Sequence, residues 1–199
     1  MAYLDFETVG PPVPVWKGCR PYDQVPVQMS VHREASGGKL VHNEWLAEGP
    51  GDPRETVARK LLEFTRGARC ILAYNAGFEK RCIQEIGEHL PHLARPLDEV
   101  TARIEDLLPI VRNHVYHPGF RGSFGLKSVV PCMVPGIDYE ELEVAEGGEA
   151  AQMLFSLLLR GDEMKKAERA RLRRELLKYC EMDTLALVKL HRQLQVLAR

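Results

Sequence analysis

The chain opens on alternation. From Tyr3 to Thr8 the sequence is Tyr-Leu-Asp-Phe-Glu-Thr, with apolar Leu4 and Phe6 set between polar Asp5 and Glu7. Side chains two apart on a strand share a face. A strand over 2–8 therefore projects Asp5 and Glu7 together and sends Leu4 and Phe6 to the opposite side. Residues 10–26 are rich in proline and glycine and predict a surface loop. Alternation returns over 27–33, a second strand. Residues 35–39 contain Gly37-Gly38 and predict a hairpin turn into a return strand over 40–46.

The period then changes. Val57, Leu61, Leu62 and Phe64 predict a helix over 56–66, with Gly67 as its cap. The apolar run 70–75 predicts a buried strand, and helices are expected over 78–90 and 98–106. Residues 107–116 are ambiguous because Pro109 interrupts them. A loop over 119–128 leads to a short helix carrying Leu126, Val129 and Val130. Ala151, Leu154, Leu157 and Leu158 mark one side of a helix over 149–160, which Gly161 ends. Asp162 is the expected N-cap of a last helix over 163–197, long enough to accommodate a bend at 178–180. Three strands, a helix, a strand and then helices predict an α/β domain with a mixed sheet.

Bulk composition narrows the classes. The length of 199 residues suits one domain, and 45% hydrophobic residues suffice for a core. A net charge of −1 means that nucleic-acid binding would need a local basic patch. The five cysteines are odd in number and lack CxxC spacing. That argues against a zinc ribbon or a disulfide framework and for reduced thiols in a cytoplasmic protein. No signal peptide or membrane-spanning run is visible, so no membrane partner is expected. The chemistry-bearing strand starts almost at residue 1. The chain is expected to be either compact at its N-terminus or a piece of a longer protein.

Two carboxylates side by side on a strand repel each other, and a divalent cation between them removes the conflict. Oxygen ligands suit magnesium or manganese. Taken alone, the pair fits equally well the wet face of an edge strand. Two other segments change that balance. Asn75 ends a predicted buried strand and Glu79 opens the next helix, the usual location of α/β active sites. Tyr179 and Asp183 are four apart on a helix and share one face, while Glu181 points away. Each has a plain alternative: a helix-start acid for Glu79, an amphipathic boundary pair for the other two.

Together, Asp5-Phe6-Glu7-Thr8, Asn75-Ala76-Gly77-Phe78-Glu79 and Tyr179…Asp183 resemble the three motifs of the DEDD 3′→5′ exonucleases, in their tyrosine (DEDDy) branch. Tyr74-Asn75, Phe78-Glu79-Lys80, residues 122–131 and residues 179–184 are also similar to an uncharacterised bacterial domain family of that superfamily, often fused behind RecB-like nuclease regions. The resemblance implies a ribonuclease H-like fold, with three antiparallel-capable strands followed by parallel ones. It implies two magnesium or manganese ions held by Asp5, Glu7, Glu79 and Asp183. Asp5 would bridge both ions, and Glu7 and Asp183 would complete one site. Tyr179 would orient the attacking water, being a poor base with its phenol pKa near about 10. Thr8, Asn75, Phe78 and Lys127 are the expected substrate contacts, and single-stranded DNA or RNA the expected partner. Where the family carries Asp, this chain carries Glu79, one methylene longer.

Several features stay open at this stage. Seven Lys and Arg residues over 165–178 form either a phosphate-tracking surface or a solvated helix face. Arg121 and Ser123, with Lys127, either touch the substrate backbone or simply turn the chain. Asp106 is either a supporting acid or a helix-end residue, and His114 and His117 are read as loop histidines. Asp138, Glu140, Glu141, Glu143, Glu146 and Glu149 would repel phosphate and should face away from its path. Two rival functions remain: a non-cleaving binding module, and an endonuclease of the same fold.

Overall fold

The structure, a computed structural model, describes residues 1–35, 37–137 and 147–199. The first three strands form as their alternation predicts: β1 (Ala2–Val9), β2 (Val25–Glu34) and β3 (Leu40–Leu46). Both neighbouring pairs are antiparallel. Helix α1 (Arg54–Phe64) leads to β4 (Ile71–Ala73), which returns parallel to β1. Gly67, at φ +76°, takes the left-handed conformation after α1 that a side chain would resist.

Helix α2 (Gly77–His89) follows, then α3 (Pro91–Thr101) and β5 (Ile104–Asp106), which pairs parallel with β4. The strand order is β3-β2-β1-β4-β5. Mixed pairing, with three antiparallel strands and then two parallel additions, is the ribonuclease H-like arrangement expected. It also removes the edge-strand reading of Asp5 and Glu7, because β1 is the central strand.

The expected helix over 98–106 is corrected. Leu93, Leu97 and Val100, spaced four and three apart, are the buried side of α3, which therefore starts earlier. Residues 104–106 are drawn into a strand by pairing with β4, too short a stretch for its own pattern to reveal. Helix α4 (Leu108–His114) resolves the ambiguity at Pro109. The proline sits in the first turn, where a missing N–H breaks no helical bond.

Helix α5 (Leu126–Met133) precedes α6 (Gly147–Arg160) and α7 (Lys166–Leu197). In α6 it is Ala150, with Leu154, Leu157 and Leu158, that is buried, rather than Ala151. Asp162 is not an N-cap. It lies in a 3₁₀ turn (Gly161–Glu163) and pairs with Arg169 at 3.2 Å, while Lys165 precedes α7 without a side-chain cap. Helix α7 runs uninterrupted through 178–180.

Helices and sheet make two layers of packing. Ala2, Leu4 and Phe6 of β1 join Met29 and Val31 of β2 against α1, α2 and α3. The opposite side of the same strands lies under α7. Strand register aligns Tyr3 with His32, Asp5 with Ser30 and Glu7 with Gln28. That second face is polar, and α7 covers it.

Candidate metal and substrate site

Strand β1 supplies two acids and α7 a third. Carboxylate oxygens of Asp5, Glu7 and Asp183 lie within 4.8 Å of one another. A register irregularity falls between Glu7 and Thr8, at the end of this acidic stretch. Such a bulge re-aims side chains and is common beside active sites. Glu79, in the first turn of α2, is buried and is not part of that 4.8 Å group. Its Oε2 has no hydrogen-bond partner.

Charge and burial oppose ionisation here. Burial, then the neighbouring Asp183, Glu7 and Glu79, holds the Asp5 carboxyl well above its usual range. Burial, then Asp183, pushes Glu7 up to about 8, although Lys127 opposes this. Burial pushes Glu79 up to about 8, with Asp106 adding to it. Anions crowded in a poorly solvated site keep protons unless a cation replaces them. The Cys180 thiol donates to Asp5 Oδ2 at 3.4 Å, and burial, then Asp5 and Glu7, keeps that thiol protonated.

Tyr179 is buried at 2% exposure. Its hydroxyl accepts a hydrogen bond from Lys127 Nζ, and the ammonium lies 4.0 Å from the ring centroid. Burial, followed by Asp183, Glu7 and Asp5, pushes the phenol further above its already high range. This hydroxyl stays neutral at physiological pH and cannot serve as a base.

A cleft of about 680 Å³ opens onto these groups. Asp5, Asn75, Arg112, Lys127, Tyr179 and Asp183 are among its lining residues, and its volume suits a small organic ligand. Asn75 and Lys127 thus stand on the cleft wall, whereas Thr8 and Phe78 are not among its lining residues. The Thr8 hydroxyl donates to Gln24 Oε1 at 2.7 Å, and Phe78 packs against the apolar core and under Arg81.

Arg112 was missed, because α4 had no clear pattern. Of the two readings open for Asp106, the contacts favour a structural one. Its Oδ1 accepts the backbone N–H groups of Asn75 and Leu108, both at 2.9 Å. Asn75 sits at φ +64°, a left-handed conformation that asparagine tolerates better than most residues. Asp106 therefore fixes the turn from which α2 and Glu79 depart.

The remaining candidates sort themselves by contact. Ser123 accepts from Gly125 N and Ser128 Oγ, so it shapes the turn into α5. Arg121 takes φ +51° in the preceding turn and is exposed. His117 Nδ1 accepts from Gly119 N, as a loop histidine would. In the basic stretch, Arg169 donates to Glu48 O, and Arg173 to Ala47 O and Leu46 O, tying α7 to the end of β3. Those two are fasteners rather than part of a free phosphate track. Asp138, Glu140, Glu141, Glu143 and Glu146 lie outside the described residues. All five cysteines are free thiols. Among the described residues no helix is long and apolar enough to cross a membrane.

No curated protein matches the sequence. The chain's fold is similar to a solved structure of the family B DNA polymerase from the hyperthermophilic archaeon Pyrobaculum calidifontis, with a TM-score of 0.56 and 18% identity. That similarity covers 94% of this chain but 23% of the polymerase, so the chain spans about a quarter of its length. At this identity the likeness speaks for the fold alone. A family profile matches residues 2–125, the stretch holding all five strands together with Asp5, Glu7, Asn75 and Glu79. The chain belongs to that family, described as Domain of unknown function (DUF2779).

Proposed function

We propose that this chain is a metal-dependent 3′→5′ exonuclease of the tyrosine DEDD kind, hydrolysing phosphodiester bonds at single-stranded DNA or RNA ends. The observation that carries the reading is the meeting of Asp5, Glu7 and Asp183 within 4.8 Å on a central strand and a packed helix. Carboxylates this close, with raised proton affinity, call for a cation. The donors are all oxygen, which fits magnesium or manganese, and the orphaned Glu79 Oε2 fits a second ion. In this reading Asp5, Glu7 and Asp183 would hold one ion, and Glu79 would help to hold a second. When bound, such ions neutralise phosphate charge and acidify water.

The chain's own groups supply the rest. Neutral Tyr179 orients the attacking water without taking its proton. Lys127 fixes the phenol and, with Arg112, brings positive charge to the cleft wall where a phosphate would lie. Asn75 presents an exposed side chain at the mouth of the same cleft. The proposed setting is the cytoplasm, with a nuclease region of the same full-length protein as a proposed partner.

One observation favours a second reading. Glu79 stands outside the close carboxylate group, so a module that binds single strands without cutting them is the alternative. End-labelled DNA and RNA oligonucleotides incubated with magnesium or manganese separate the two. The exonuclease shortens them stepwise from the 3′ end, leaves circular substrates intact and loses activity on Asp5→Ala. Wild type and Asp5→Ala behaving alike would sink the exonuclease reading.

A further inference from the structure

Under the same helix, one strand further from the carboxylates, lies a second group of metal-ligating side chains. His32 on β2, His42 on β3 and Glu181 on α7 each bring a ligand atom within 4.8 Å of the others. His42 Nδ1 and Glu181 Oε1 are 3.5 Å apart. The two imidazoles are stacked, with centroids 4.5 Å apart.

What surrounds them matters more than their proximity. His32 Nδ1 bonds Thr184 Oγ1 at 2.8 Å, and His42 Nε2 bonds Ser30 Oγ at 2.9 Å. Ser30 and Thr184 bond each other at 2.7 Å, and Thr184 donates onward to the Glu181 carbonyl at 3.1 Å. A carbonyl can only accept. Protons therefore run in a consistent order from both rings, through the hydroxyls, to that carbonyl. In this order His32 Nε2 and His42 Nδ1 carry lone pairs. Histidines that bind metals characteristically give their other ring N–H to an oxygen partner, which fixes tautomer and orientation.

We propose that His32, His42 and Glu181 form a transition-metal site, of zinc type, that staples the β2–β3 hairpin to α7. Two imidazoles and one carboxylate suit zinc and its neighbours far better than magnesium. Glu181 is 45% exposed and His42 20%, which leaves a position open to water and a route of entry. Ligand atoms around such an ion must draw together, with metal–ligand distances near about 2.0–2.2 Å. Ligation would require the His42 ring, on the edge strand β3, to turn out of the stack. This site is distinct from the carboxylate group and does not depend on nuclease activity.

Zinc content after dialysis against a large excess of magnesium tests the proposal. Magnesium competes for the oxygen-only carboxylate group and leaves the histidine site to zinc. One zinc per chain is expected in wild type and in Asp5→Asn. His42→Asn and Glu181→Gln are each expected to weaken zinc binding at least tenfold. No retained zinc, zinc lost with Asp5→Asn, or zinc unaffected by both ligand substitutions overturns the site. A second measurement needs no variant. Zinc should shift the NMR ring signals of His32 and His42 and spare those of His191, and unmoved signals from the first two reject the proposal.

Discussion

The two faces of β1 and β2 obey opposite rules. Toward α1, α2 and α3 they present Ala2, Leu4, Phe6, Met29 and Val31, all buried and apolar. Toward α7 the same strands present Tyr3, Asp5, Glu7, Gln28, Ser30 and His32. Most of that second set is satisfied. Gln28 Nε2 donates to Leu176 O at 2.6 Å, although its Oε1 has no partner, Tyr3 Oη bonds His191 at 2.9 Å, and Ser30 and His32 meet Thr184. Asp5 and Glu7 differ. They face further acids, and protonation is what eases their crowding. Burial of polar groups is tolerable when partners are supplied. The difference teaches where stability ends: one face and the paired part of the other hold the fold, and the acidic remainder works against it.

Neighbouring residues of one strand should therefore respond with opposite signs. Asp5→Asn is expected to lower nuclease activity by more than about a hundredfold, since loss of mere supporting groups at metal sites already brings 10–100-fold effects. The same change should raise the melting temperature of metal-free protein near neutral pH, because asparagine need not take up a proton on folding as Asp5 does. A metal-free melting temperature that falls would break the contrast. Leu4→Ala, one residue away on the other face, should destabilise by about 2–5 kcal/mol through the cavity it leaves. Urea unfolding measures this.

Smaller effects sharpen the paired half of the polar face. Thr184→Val removes the hydroxyl that Ser30 and His32 bond and should destabilise by about 1–3 kcal/mol, with little change in the rate per folded molecule. If thermal unfolding shows no loss, the seam contributes nothing to the docking of α7.

The gentlest probe is pH. Glu7 and Glu79 hold protons in the folded chain up to about 8, against 4.5 ordinarily. A folded state that binds more protons than the unfolded one loses stability as pH rises. In chelator, melting temperature should decline from about pH 5 to 8, where the unfolded chain has lost protons that the folded chain keeps, and added manganese should flatten the slope. A decline unaffected by manganese would detach the acids from metal binding.

Much of this division is legible in the sequence. Alternation over 2–8 places Asp5 and Glu7 on one side and Leu4 and Phe6 on the other, and the helical spacing of Tyr179 and Asp183 aims both at the same strand. Alternation over 27–33 equally marks a strand, but cannot say that its polar side is roofed by a helix more than 130 residues later. The buried seam of Ser30, His32 and Thr184 is therefore invisible before folding. Strand β5 is hidden for a related reason: three residues carry no period, and only pairing with β4 makes them a strand. The Thr8 hydroxyl is committed to Gln24, a pairing the motif does not reveal.

Asp106 carries a mechanical implication. It closes β5, the outermost strand on its side of the sheet, and one of its oxygens clamps the turn at Asn75. The orientation of Glu79 is thus referenced to the rim of the molecule rather than to its centre. A disturbance at that border, from a neighbouring domain or a strand laid along β5, would arrive at the acids as a small change in bearing. The side of the protein that looks most peripheral is the one that sets the aim of the acid standing apart from the close carboxylate group.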